Sequence, residues 1–371
     1  MSTRGFAAAF LALALTVGLG ACDGGRELAG DDAAMTATDG GPENDTAVEV
    51  MGPDGGDGTD QTDGGAMTPF SIVVLPDTQF YSSSWPAIFD AQTQWIVDNR
   101  DAQGISFVLH VGDVVDGDTP AQWMNAEHSI SKLDGNVPYV LSAGNHDYTY
   151  LADRVGMAAQ FFPVSRLAQS PTFGGTFEDG HIENSYSLMP AGGGRWLVIA
   201  LEFGPRNEVV AWADGILKKF ADVPAIIVTH AYMYVGDTRY DHNGPLQSFS
   251  PYAYLMPGTV NDGEDLWQKL VNPNHNVQFV FSGHMVGDGR NLGYAAARLT
   301  SVRDDGSRVH QMLANYQYCL GAPCEEVHGG NGFLRILRFS PAEGVVHVQT
   351  YSPYLDQSLT DDANTFDLPL P

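Results

Sequence analysis

Positive charge is scarce in this 371-residue sequence: 18 Lys and Arg stand against 45 Asp and Glu, a formal net charge of −27. A chain so negative repels phosphate backbones and lipid headgroups, so no nucleic-acid-binding surface is expected. Cysteine is nearly absent as well. The three present are too few to complete a cysteine-based zinc site. The apolar run at residues 6–19, about 14 long, falls short of the roughly 20 residues that a membrane-spanning helix needs. What is abundant is apolar: 43% of residues are hydrophobic and 11% aromatic, enough to fill a sizeable core.

The N-terminus is organised like an export signal, with Arg4 ahead of the apolar run and small residues at Leu19-Gly20-Ala21-Cys22. Leu-Gly-Ala-Cys resembles a bacterial lipobox. That resemblance implies lipidation of Cys22 and a lipid-anchored place in the bacterial cell envelope, on the inner or outer membrane and facing the periplasm or the surface. Residues 23–68 carry 12 acidic groups, one Arg and 11 Gly without hydrophobic periodicity, so they read as a solvated tether between anchor and domain. Their Asp-Gly units fit no complete calcium loop, although a calcium-binding surface protein remains a third reading. Cys319 and Cys324 are separated by Leu-Gly-Ala-Pro, a spacing that lets the sulfurs meet across a turn; an exported protein would keep such a disulfide, and two free thiols are the alternative.

From residue 69 to 371 the pattern changes. Apolar β-branched runs at 71–75, 105–111, 137–141, 196–201, 225–228 and 277–281 read as buried strands. Amphipathic stretches at 85–99, 121–133, 209–220 and 264–270 read as helices. The alternation predicts an α/β domain. Residues 295–302, 309–314, 332–338 and 345–351 read as consecutive strands, so a second and more antiparallel sheet is expected from the tail.

The informative residues are those that follow the strands. They are Asp77-Thr78-Gln79, then Gly112-Asp113 with Asp116, then Gly144-Asn145-His146-Asp147, then Thr229-His230, then Gly283-His284-Met285-Val286. In open α/β sheets the carboxyl ends of the strands line one crevice. Carboxylate, amide and imidazole gathered there suit Mn, Mg, Fe or Zn rather than soft copper. A single Gly-Asp turn or strand-end His is usually structural, but five in succession are not readily so.

This order resembles the calcineurin-like metallophosphoesterase superfamily, from Val74 to about Val286, with Gly144-Asn145-His146-Asp147 its most specific piece. The resemblance implies two mixed β-sheets sandwiched between helices and the hydrolysis of phosphate esters with one or two divalent metal ions (Mn, Mg, Fe, Zn or Ca). Carried over by position, Asp113 bridges two metals, and Asn145, His230 and His284 complete one site. The other site has Asp77, but Gln79 stands where the family has His, and Val286 where Gly-His-x-His ends in His. Asp288 is close enough in sequence to substitute. An oxygen-rich second site of Asp77, Gln79 and Asp113 favours Mn, Mg or Ca. His146 is expected to protonate the leaving oxygen or bind the phosphoryl group, with Asp147 or Asp116 orienting it. His110, inside a strand, is expected to pack or support rather than ligate. Residues 231–258, rich in tyrosine, are expected to overhang the crevice, or simply to pack. Asn315-Tyr316-Gln317 and Gly329-Gly330-Asn331-Gly332 are turn-like and are expected at the rim, with no role assigned by spacing. The expectation is a monomeric, exported, metal-dependent phosphoesterase; the alternative is a non-catalytic metal-binding surface lipoprotein that keeps the fold.

Overall fold

A computed structural model describes residues 67–151, 154–254, 256, 258–288, 293–318 and 328–371. The export signal, Cys22, most of the acidic tether and both Cys319 and Cys324 lie outside the described residues.

Strands β1 (Phe70–Leu75), β2 (Ile105–His110) and β3 (Tyr139–Leu141) run parallel side by side. The helices Pro86–Gln103 and Pro120–Ile130 lie between them in sequence. Each helix has Pro at its first turn, where the missing N–H costs nothing, and the first ends at Gly104 in the left-handed conformation. The chain then builds a second sheet from β4 (Phe173–Thr176), β5 (Ser185–Ala191), β6 (Gly194–Ala200) and β7 (Ala225–Val228). A small hairpin follows, β8 (Met233–Tyr234) with β9 (Thr238–Arg239). Strands β10 (Val277–Ser282), β11 (Ala295–Val302) and β12 (Arg308–Asn315) complete the second sheet, in the order β11-β12-β10-β7-β6-β5-β4. Finally β13 (Leu334–Ser340), β14 (Val345–Ser352), β15 (Gln357–Leu359) and β16 (Phe366–Pro369) return to the first sheet, ordered β15-β14-β13-β1-β2-β3 with β16 also on β14.

The two-residue side-chain period of a strand sorts the core into layers. Ile72, Val74, Phe107 and Leu109 of the first sheet meet Trp196, Val198, Ile226, Phe279 and Met312 of the second in one buried cluster. The intervening Val73, Leu75 and Val108 face outward, onto Ile88, Phe89 and Ile96 of one helix and Trp123 and Ile130 of the next. On the far side Leu197, Ile199, Ile227 and Val280 pack on Val209, Val210, Ala213 and Leu217 of the helix Asn207–Lys219. The chain is therefore an α/β sandwich of two mixed sheets between helices, as expected.

The tail corrects one expectation. It does not form a separate antiparallel sheet: β11 and β12 extend the second sheet, and β13 to β16 extend the first. Hydrophobic alternation identifies a strand but carries no information about its partner. In consequence β12 lies parallel to β10, while β13 pairs antiparallel with β1. Among the described residues no helix is long and apolar enough to cross a membrane.

Candidate metal centre

The carboxyl ends of β1, β2, β3, β7 and β10 converge, and the glycines of their motifs make this possible. A Cβ on Gly144 would stand 2.1 Å from Asp113 Oδ1, and one on Gly283 2.1 Å from Asp77 Oδ1. A Cβ on Gly112 would meet His230 Nδ1 at 2.8 Å. Asp113 and His284 themselves sit at φ 51° and 69°, a left-handed conformation that costs a side-chain-bearing residue about 1–3 kcal/mol. The turns thus trade local backbone strain for side chains aimed inward.

Asp113, His230 and His284, all buried, bring one ligand atom each within 4.8 Å of one another, a set that can hold a metal ion. Each imidazole near this point is fixed by a carbonyl, which only accepts, so the ring nitrogen facing it carries the proton. His230 Nδ1 donates to Val111 O at 2.8 Å, His284 Nε2 to Phe249 O at 2.7 Å, and His146 Nδ1 to Asp116 O at 2.7 Å. In the neutral ring the opposite nitrogen keeps its lone pair, and it is the atom that a cation or a second proton would take. His230 Nε2 lies 3.2 Å from Asp113 Oδ2, an ion-pair contact when the ring is protonated. Asn145 Oδ1 and Gln79 Oε1 are buried and unpartnered. Buried polar atoms are normally satisfied, so two orphans around one point are what a ligand set looks like without its cation.

The charges agree. Burial, with the Asp113 charge added, outweighs the pull of His230 and pushes the Asp77 carboxyl up to about 8. Burial opposes ionisation of Asp113 too, but His230 beside it holds it well below the usual carboxylate range. His230, against its own burial, is raised to about 9 by Asp113, whereas burial and the His230 charge push His284 down to about 3. Two buried carboxylates close together, one of them raised by burial and by the charge of the other, are a place that a divalent cation would relieve.

Asp77 is held by the His284 N–H at 3.0 Å and by Asn315 Nδ2 at 2.8 Å, both on its Oδ2. Gln79 Nε2 donates to Asp116 Oδ1 at 3.3 Å, which directs its Oε1 the other way. Over these residues lies a cavity of about 240 Å³, lined by Asp113, Asn145, His146 and His284 with Gln79, Val286 and Gln317, and walled by Phe80, Phe249, Tyr254 and Tyr318. Asp147 does not line it: its buried carboxylate accepts from Val115 N at 3.0 Å and Gly144 N at 2.8 Å, stapling the β2 and β3 turns together. Asp288 is exposed and is not part of the cavity wall.

His110 behaves as expected. It accepts from Gly112 N at 3.2 Å, so its Nε2 carries the proton and donates to Thr78 Oγ1 at 2.9 Å; burial, then the His230 charge, lower it to about 3. The tyrosine-rich stretch divides. Tyr232 and Tyr240 are core residues, and Tyr254, with the unforeseen Phe249, reaches the cavity. His242, Asp262 and Asp265 also cluster, but they are occupied with one another, with Tyr252 and with Lys269, and anchor this stretch. Asn315 and Gln317 were legible from the sequence as turn-like residues of the rim, but not as residues with a role; Phe80 and Tyr318 were not legible as site residues. Asn315 ends β12 and Gln317 lines the cavity.

A family profile described as calcineurin-like phosphoesterase matches residues 70–288. The chain belongs to the calcineurin-like phosphoesterase family. The matched span contains every strand-end residue above except Asn315 and Gln317. The uncharacterized protein YvnB of Bacillus subtilis (strain 168) is 35% identical over 307 residues, which cover 80% of this chain and 21% of YvnB. The chain thus spans about a fifth of the length of that relative. Among solved structures, GAP50, the anchor in the inner membrane complex of Plasmodium, is 13% identical with TM-score 0.43, covering 80% of this chain and 89% of GAP50. The NAD nucleotidase of Haemophilus influenzae is 14% identical with TM-score 0.40, covering 80% and 54% of the two chains. Likenesses this distant say nothing further about activity.

Proposed function

We propose that this chain is a metal-dependent phosphoesterase with Asp77, Gln79, Asp113, Asn145, His230 and His284 as metal ligands. The observation that carries the reading is the cluster of Asp113, His230 and His284 within 4.8 Å, with the unpartnered Asn145 Oδ1 and Gln79 Oε1 beside it. Bound divalent ions would polarise a phosphoryl oxygen and lower the pKa of a water there. The chain's own contribution centres on His146. Its backbone N–H donates to Asp113 Oδ1 at 3.0 Å, and its Nδ1–H is committed to the Asp116 carbonyl, so Nε2 is the nitrogen available to the substrate. Burial opposes its protonation, but the Asp113 charge, the Asp116 carbonyl and the Asp116 charge together raise its pKa. A protonated Nε2 is suited to give its proton to the leaving oxygen. Asp147 we assign a positioning role, through the two amides it holds. The four aromatic walls favour an ester that carries a flat apolar group.

The decisive assay is hydrolysis of an aryl phosphate monoester and its diester counterpart by metal-stripped protein with Mn, Mg, Zn, Fe or Ca added in turn. Metal-dependent turnover is expected, lost in Asp113→Asn and lowered by roughly 10²–10⁴ in kcat in His146→Ala with metal content retained. Folded, metal-loaded protein that turns over neither ester would favour the binding-module alternative, for which Val286 and Gln79 are the motive. Unchanged turnover in His146→Ala would remove that residue from the mechanism.

We further propose that the protein is an exported monomer, lipid-anchored through Cys22, with residues 23–68 as its tether and a Cys319–Cys324 disulfide. The sequence pattern around Arg4 to Cys22 supports this reading. Release from the membrane fraction in Cys22→Ala is its test; a mass that does not change on reduction would refute the disulfide.

A further inference from the structure

The strand that sequence alone placed elsewhere brings a sixth set of polar residues to the site. Because β12 is parallel to β10, its carboxyl end opens beside the turn that carries His284. Asn315, fully buried, closes that strand and donates from Nδ2 to Asp77 Oδ2 at 2.8 Å. Its Oδ1 accepts the backbone N–H of Gln317 at 3.0 Å. Gln317 is therefore indexed to the Asp77 carboxylate through one intervening side chain. It is 7% exposed and lines the cavity together with Gln79 and Val286, and its Oε1 is buried without any hydrogen-bond partner.

Buried amide oxygens normally have a donor, and this cavity holds three without one, on Gln79, Asn145 and Gln317; Asn145 is assigned above to the position with His230 and His284, which leaves two. The Gln79 amide is oriented by its bond to Asp116, a carboxylate that accepts only, so its oxygen is the end left over. Val286, on the same wall, offers hydrocarbon and can coordinate nothing. Two amide oxygens and two carboxylates have in common that they are hard, oxygen-only donors.

We infer that Gln317 Oε1 is a ligand of a second divalent cation, completing with Asp77, Gln79 and Asp113 an all-oxygen position that selects Mg²⁺, Mn²⁺ or Ca²⁺ over Zn²⁺. The inference rests on the metal-dependent reading above and deepens it. The position beside it keeps two imidazoles and accepts borderline ions, so the two places differ in chemistry. Loss of imidazole at Gln79 and Val286 is then a change of metal preference, compensated from β12, rather than a loss of the site.

The test is metal stoichiometry rather than turnover. The full-length protein, stripped of metal, is titrated with Mn²⁺ and separately with Zn²⁺; bound ions are counted after equilibrium dialysis, and the Mn²⁺ electron paramagnetic resonance spectrum is recorded for exchange coupling between neighbouring ions. Two Mn²⁺ per chain with a coupled spectrum, and a single Zn²⁺ at matched concentration, are expected for the wild type. Gln317→Ala is expected to bind the first Mn²⁺ unchanged, to weaken the second at least tenfold and to lose the coupling. Gln317→Glu, which keeps an oxygen there, is expected to restore both. Two ions bound equally well in Gln317→Ala, or a Gln317→Glu variant that behaves like Gln317→Ala, would overturn the role of Gln317. A wild type that binds one ion would overturn the second position and leave the metal-dependent reading standing; a wild type that binds none would overturn both.

Discussion

The tightest contact in the site involves a residue with no side chain. Gly144 has an ordinary extended φ of −96°, so its need for glycine is a matter of space: a Cβ would stand 2.1 Å from Asp113 Oδ1 and 2.3 Å from the Asp113 backbone nitrogen. Backbone cannot rotate away as a flexible side chain can. Gly144→Ala is therefore expected to displace Asp113, lower metal affinity and cost about 1–3 kcal/mol of stability, measured by denaturant titration of the metal-free protein. The fixed tautomers belong to the same scale. Three histidines are oriented by a carbonyl 30, 35 or 119 residues away in sequence, and no motif contains that information. The motif shows which residue types are present; the carbonyl on the far side of each ring decides which atom does the binding.

At the scale of elements, the outermost strand of the first sheet is held by a titratable clamp. His347 on β14 stands 2.7 Å from Asp367 on β16 and 3.0 Å from Glu343, and the hydrogen bonds it donates to Glu343 and Asp367 raise its pKa above the ordinary 6.5. A raised folded-state pKa gives stability that is fully present below 6.5 and fades as pH climbs through the raised value. Amide exchange protection of residues 366–369 is therefore expected to fall as pH rises above 6.5, and His347→Gln is expected to flatten the dependence. The buried strands β1, β2, β3, β6, β7 and β10 and the helix Asn207–Lys219 were legible from their apolar runs and period. The strands β4, β8, β9, β15 and β16 were not, since two to four residues without a continuous apolar run hold too little pattern, and β5 was missed because its buried face carries Ser185 and Ser187. Of the candidate site, Asp113, Asn145, His146, His230 and His284 were legible as motif residues at strand ends. Gln317 was legible as a rim residue but not by its place beside Asp77 and Gln79, and Asp147 was legible as a residue but not as the staple it forms between two turns.

At the scale of the whole molecule, metal and fold are coupled. The ligands come from both sheets: Asp77, Asp113 and Asn145 follow strands of the first, His230 and His284 strands of the second. An ion that binds only the assembled pair stabilises it by mass action, about 2.7 kcal/mol at one hundred times Kd. Addition of saturating Mn²⁺ is expected to raise the melting temperature by several degrees in wild type and not in Asp113→Asn, as read by thermal denaturation with and without a chelator.

The sequence by itself determined the main buried strands and helices and the residue types that end the strands, because both follow from local periodicity and from the chemistry of short motifs. Tertiary structure alone decided which strands lie side by side, and with them the ligand atoms, the staple at Asp147 and the place of Gln317. Strand pairing is a contact between distant residues, and nothing in the period of one strand names its neighbour.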